Sequence, residues 1–108
     1  MMDHSNVTTS FDIAGRKVSK HLGVVKGIIV RSRSVIGNFG AAIQSIFGGN
    51  ITLYTELCEQ ARDDAYSLMI SHAESMGADG VVGVCYDATE ISAGITEVLC
   101  YGTAVKLE

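Results

Sequence analysis

The chain has 108 residues, a formal net charge of -4, 47% hydrophobic residues and only 19% charged ones. That length makes one domain, 1–108, with a small core, and more apolar side chains than such a core takes in, so part of the surplus is expected to cover a subunit interface. An acidic balance with no aromatic residues among the basic ones excludes nucleic acid as an expected partner, and no run approaches the roughly 20 apolar residues that cross a bilayer. The first residues, Met1-Met2-Asp3-His4-Ser5-Asn6, lack a basic region followed by an apolar run and read as a flexible end rather than a secretory signal. Cys58, Cys85 and Cys100 are odd in number and widely spaced. They make no disulfide framework and fit a reducing cytoplasm.

In chain order, Val7 to Ser10 is short and β-branched and reads as a first strand, with Gly15 turning the chain. Lys17 to Arg33 reads as a long strand or a bent strand pair. One alternate row is His21, Gly23, Val25, Gly27, Ile29 and Arg31; the other is Leu22, Val24, Lys26, Ile28, Val30 and Ser32. Both rows carry apolar residues, so both faces are expected to be covered, and Gly23 and Gly27 allow a bulge or a bend.

Asn38 to Phe47 has apolar residues at helical spacing and predicts a short helix ended by Gly48-Gly49. Asn50 or Thr52 can cap a second helix running to about Met76. Its apolar stripe takes in Tyr54, Leu57, Cys58, Ala61, Ala65, Leu68, Met69, His72 and Met76, and its packing is expected through Leu57, Ala61, Ala65, Leu68 and Met69. At about 1.5 Å per residue this helix is roughly 37 Å long, enough to reach a neighbouring chain. Gly77 is its natural C-terminal cap.

Gly80 to Glu90 and Thr96 to Leu107 then read as a hairpin turning at Ser92-Ala93-Gly94. The sum is an α+β fold: two layers, a mostly antiparallel sheet packed by one long helix plus a short helix. One sheet face has no helix left to cover it, which again asks for another subunit.

Several short motifs run in order along the chain: Gly23-Val24-Val25 with Gly27, Gly48-Gly49, Tyr54 with Leu57, Ala61-Arg62 with Ala65, Gly77-Ala78-Asp79-Gly80-Val81-Val82-Gly83, and Gly102-Thr103-Ala104-Val105. Together they resemble the YbjQ-like family, small bacterial proteins labelled heavy-metal-binding, over about Val7 to Lys106. The resemblance implies an α+β fold and a ring-shaped homopentamer. It implies no reaction.

For chemistry, the chain has no C-x-x-C, H-x-H, H-E-x-x-H, G-x-S-x-G or phosphate-binding glycine loop. No nucleophile–base pair can be assembled, so a non-enzymatic protein is expected. His4 sits in the flexible end, and His72 lies on the apolar stripe, where packing is its simplest role. Cys58 and His72 are separated by about 21 Å of helix, too far for one ion. Cys100 alternates with Val98, Gly102 and Ala104 and reads as a small core residue.

Cys85 and Asp87 are two apart on a strand and point the same way. A thiolate beside a carboxylate suits a borderline-soft divalent metal ion, so these two are the candidate metal ligands, to be completed by water or a neighbouring chain. A buried thiol next to a strand-end acceptor is the plainer alternative. Glu56, Glu59 and Asp63 form a carboxylate line that reads as a solvated helix face, with Glu59 and Arg62 paired.

The charge is split: residues 1–50 carry six basic and two acidic side chains, whereas 51–108 carry two basic and ten acidic ones. Complementary packing, within or between chains, explains this more simply than an anion site at Arg31 and Arg33. Two functions follow: an oligomeric cytoplasmic domain binding a heavy-metal ion or small ligand, or a structural ring with no bound cofactor.

Overall fold

Three strands and one helix make the described part of the protein. In the computed structural model these residues are 2–32, 51–92 and 95–108, with Ser32 and 51–55 described by backbone alone. The short helix expected over 38–47, Arg33 and the hairpin tip Ala93-Gly94 lie outside them.

Strand β1 is Val18–Ser32, helix α1 is Ile51–Ser75, and strands β2 and β3 are Gly80–Ser92 and Ile95–Leu107. The sheet is antiparallel in the order β1-β3-β2, so the hairpin strand β3 is central and both other strands are edges. The long strand, the long helix and the hairpin follow the pattern in the sequence. The described part of that run, Val18–Ser32, is one strand, not a pair.

Two glycines bend the alternation. The β1–β3 register shifts between His21 and Gly23, where Gly23 has φ +131°, and the β2–β3 register shifts between Val82 and Cys85, where Gly83 has φ +63°. These left-handed backbone angles favour glycine, and each extra residue is a β-bulge. A bulge reverses which row faces the helix. Leu22 and Val25 therefore pack into the same cluster, as do Val81 and Val84. Gly27 has a different role. It keeps regular pairing with Cys100, and a Cβ there would run into the Ala65 carbonyl oxygen and lie 2.6 Å from the Met69 nitrogen. Helix and sheet touch backbone to backbone at this point.

The main core joins Val25, Ala65, Met69, Ala73, Val81, Val84, Cys100 and Ala104 between helix and sheet, with Met2 at its edge. The buried helix row is thus Ala61, Ala65, Met69 and Ala73. Four stripe positions depart from expectation: Leu68 is 46% exposed, and Cys58, His72 and Met76 are also exposed. The reason is the contact at Gly27. Once the helix backbone is pressed against the sheet, alanines and one methionine fill the narrow gap and bulkier neighbours are turned to the flank. His72 uses its position instead to accept a hydrogen bond through Nδ1 from the Lys26 N–H at 3.3 Å.

The helix ends as its sequence suggests. Gly77 has φ +76°, its N–H donates to the Glu74 carbonyl at 3.0 Å, and the Ala78 N–H donates to the Ala73 carbonyl at 3.1 Å. That is a Schellman cap.

The expected first strand is corrected. Residues 4–6 form a single 3-10 turn, and only Val7 makes a bridge, parallel to Val81. Thr8 and Ser10 also bind each other: their hydroxyls are 2.9 Å apart, the Ser10 N–H donates to the Thr8 hydroxyl, and the Ser10 hydroxyl donates to the Asp12 carbonyl. Such local side-chain bonds compete with a ladder. The segment nevertheless follows the outer edge of β2 through Thr8 and Ser10 and brings Ile13 onto Val82, Val105 and Leu107. So the second sheet face is covered at one end. Elsewhere on that face, among the described residues, Val24, Val30 and Ile28 are 70%, 52% and 41% exposed.

Candidate functional site

Cys85 and Asp87 lie where the alternation puts them, on the strand β2, both exposed. Cys85 pairs with Tyr101 and Asp87 with Leu99 across the hairpin. The Tyr101 side chain lies beside Cys85: its hydroxyl is held above the usual phenol value of 10.0, first by the charge of the neighbouring Cys85 sulfur, then by a hydrogen bond to it, then by burial and the Asp87 carboxylate. The Cys85 Sγ also lies 3.6 Å from the Gly83 carbonyl oxygen, and Asp87 Oδ1 accepts from the Ala88 N–H at 2.9 Å. This face therefore gathers a thiol, a phenol and a carboxylate. Tyr101 was missed from the sequence, although counting back across the hairpin turn brings it opposite Cys85.

A closed metal site needs about four ligands. Among the described residues no group of three or more His, Cys, Asp and Glu side chains converges. One chain thus offers two ligands at Cys85 and Asp87 and does not by itself fit a structural heavy-metal centre.

The other candidates are occupied or dispersed. Glu56, Glu59 and Asp63 are exposed along the helix. Arg62 stands over the Tyr86 ring, 5.5 Å from its centre, rather than being committed to the carboxylate line. Arg31 Nη2 meets Asp64 Oδ2 at 2.9 Å, and Gln60 donates to the other oxygen of the same carboxylate. The described half of the supposed anion site is therefore an ion pair between the basic and acidic halves of the chain. His4 stacks on Tyr66 and meets its hydroxyl through Nδ1 at 2.9 Å.

An open cleft of about 420 Å³ is lined by Met2, Asp3, Asn6, Arg16, Glu74, Ala78 and Asp79. Its carboxylates already serve the fold. Asp3 accepts from the Ser5 N–H, Glu74 from the Met2 N–H, and Asp79 from the Leu107 N–H.

Comparison with known proteins agrees with this architecture. A family model described as "Putative heavy-metal-binding" (YbjQ) matches residues 6–108. The chain belongs to the YbjQ family. Curated members include a UPF0145 protein of Chromobacterium violaceum, 60% identical over 108 residues and covering 100% of this chain and 92% of that protein. Another, from Burkholderia mallei, is 60% identical over 106 residues, covering 98% of this chain and 96% of its own. The fold is similar to that of a protein of unknown function from Pediococcus pentosaceus, with a TM-score of 0.62 at 17% identity, covering 98% of this chain and 100% of the other. The YbjQ family carries no enzymatic name among these relatives, and no described helix is long and apolar enough to cross a membrane.

Proposed function

We propose that this YbjQ-family chain is a non-enzymatic, cytoplasmic binding domain that works as a closed homo-oligomer, a pentameric ring by family resemblance. The observation that carries this reading is the apolar exposure along the described β1 and β2. From Cys85 to Ser92 every residue of β2 is exposed, including Tyr86 and Ile91 at 41% and 55%. Next to it, Val24, Ile28 and Val30 are open on β1. A two-faced strand arm with this apolar content is marginal in water by itself. A second copy is the partner whose excess of opposite charge on its other half would suit it.

Within that assembly, Cys85 and Asp87 sit on the arm that a neighbour would cover. Each copy contributes a thiol and a carboxylate, and a neighbouring chain or water completes the coordination of a divalent ion. The competing reading is a structural ring with no cofactor, favoured by the observation that only two ligands meet at this place.

Sedimentation velocity tests the assembly: the wild type should run as one oligomer at micromolar concentration and Ile91→Asp as smaller species. A stable wild-type monomer would remove the reading. Titration calorimetry with zinc or cadmium, on wild type and on Cys85→Ser/Asp87→Asn, decides between the two functions. Binding confined to the wild type supports the metal domain; equal binding by both removes this site, and no binding by either leaves the structural ring.

A further inference from the structure

The two edges of the sheet are alike in shelter and opposite in charge. On the outer side of β2, Thr8 and Ser10 hydrogen-bond to Val81, Gly83 and Val84, and among the described residues this pairing goes no further. On the outer side of β1, His72 Nδ1 takes the Lys26 N–H, and the Met76 side chain lies close to Gly23. Past these points, Ile28 and Val30 on β1 and Tyr86 and Ile91 on β2 are exposed. Strand β1 carries Lys20, His21, Lys26 and Arg31 and no carboxylate; β2 carries Asp87 and Glu90 and no base.

We infer that the sheet continues from copy to copy, the outer edge of β2 in one chain pairing with the outer edge of β1 in the next. This rests on the homo-oligomer proposed above and names the two surfaces that build it.

The backbone supplies the attraction. An open strand edge presents unpaired N–H and C=O groups, and an added strand satisfies them. Charge supplies the choice of partner. Two β1 edges would set lysine against lysine, and two β2 edges carboxylate against carboxylate. Only β1 against β2 brings opposite signs together. Such a contact joins two different surfaces, so each added copy leaves one of each kind open until a ring closes. Rotation about a ring axis preserves strand direction. Both edge strands run antiparallel to β3, so the new pairing is parallel.

Face and register follow. Tyr101 is flanked by Lys26 and Cys85, and Leu99 by Ile28 and Asp87, so these four edge residues share one face of the sheet. Setting Asp87 of one copy beside Lys26 of the next brings Thr89 beside Ile28, just past the His72 cap. The pairing engages the Asp87 carboxylate and so favours the ring without a cofactor over the metal domain.

The test joins the two edges covalently. Ile28 and Thr89 are both exposed, and Ile28→Cys and Thr89→Cys are combined in a Cys58→Ser/Cys85→Ser background and oxidised. Within one chain β3 lies between these positions, which are at least about 10 Å apart, too far for a disulfide. Non-reducing electrophoresis should show a ladder of covalent multimers, and each single variant should stay monomeric on the gel. Charge reversal is read separately by sedimentation. Lys26→Glu or Asp87→Lys should each raise the concentration needed for assembly about tenfold at low ionic strength, and the two together should restore it. A covalent dimer from Ile28→Cys alone would mean a β1–β1 contact and overturn the inference. So would additive losses in the double charge variant, or no ladder from a protein that sediments as an oligomer; these leave the homo-oligomer reading in place. A stable wild-type monomer removes both.

Discussion

The Asp79 carboxylate accepts a hydrogen bond from the backbone N–H of Leu107 at 3.0 Å. The same residue's own N–H donates to the Val105 carbonyl at 2.9 Å, and Lys106 Nζ reaches both Asp79, at 3.3 Å, and the Gly77 carbonyl, at 3.0 Å. The turn after the helix is thereby fastened to the last residues of the central strand. This gives the Gly77-Ala78-Asp79-Gly80 motif a structural purpose: one glycine caps the helix, and the aspartate ties the cap to β3.

Asp79 should make stability depend on pH at the acid end. Its pKa is lowered below 3.8, chiefly by the Leu107 hydrogen bond, then by Lys106 and Arg16, against a smaller desolvation effect. A carboxylate depressed in the folded state stabilises fully above its unfolded value and loses that contribution as pH falls through the folded one. Thermal melts of wild type should therefore drop below pH 3.8, and those of Asp79→Asn should be lower at neutral pH and flatter in acid. Parallel curves for the two proteins would show that this carboxylate does not hold the turn.

Gly27→Ala should destabilise by about 1–3 kcal/mol or more, because the added methyl meets helix backbone, which cannot rotate away. Urea denaturation measures it. The same change at Gly15 supplies a contrast, since a Cβ there has nothing within 4 Å, although its φ of +77° carries a conformational cost.

Met69→Ala and Leu68→Ala should differ sharply. Met69 is fully buried, so its truncation leaves a cavity costing about 2–5 kcal/mol. Leu68, at 46% exposure, should lose within about 0.5 kcal/mol when the chain is monomeric. Comparing both variants in the Ile91→Asp background and in the assembled wild type checks this. A larger Leu68 loss in the assembly alone would put the helix flank in a subunit contact.

Arg31→Ala should cost less than about 1 kcal/mol, as expected of a half-exposed ion pair. The side chains of Arg31 and Asp64 are 36% and 37% exposed. Its loss should shrink further in 0.5–1 M salt, which roughly describes screening below 5 Å. Salt-independent destabilisation would point to packing of the arginine stem.

The α+β architecture was legible in the sequence because its signals are long-range patterns: a strand-length run from Lys17, a helical stripe to Met76 capped by Gly77, and a hairpin with small residues at its turn. The failures all concern short distances. Val7 to Ser10 has strand composition, yet it only follows the edge of β2, with the Ser10 N–H turned to the Thr8 hydroxyl. Leu68 and Met69 are both apolar and adjacent on the helix, and periodicity cannot say which one meets a sheet that Gly27 has allowed to come close. For the candidate site, the shared face of Cys85 and Asp87 follows from alternation alone. The meeting of Cys85 with Tyr101, and of Cys100 with Met69, depends on strand register and helix placement, which a linear pattern does not contain.

The bulge at Gly23 has a consequence for how the chain tolerates insertion and loss. Beyond it, Val25 and Ile29 look inward while Val24, Ile28 and Val30 look out, yet the two rows are almost equally greasy. Hydrophobicity alone does not distinguish them. Parity does: one surplus residue between His21 and Gly23 decides which row is interior. Removing a single residue there sets the two ends of β1 in opposite frames, so that one of them must turn inside out or lose its pairing. A strand whose composition forgives almost any apolar exchange is thereby made intolerant of a one-residue change in length.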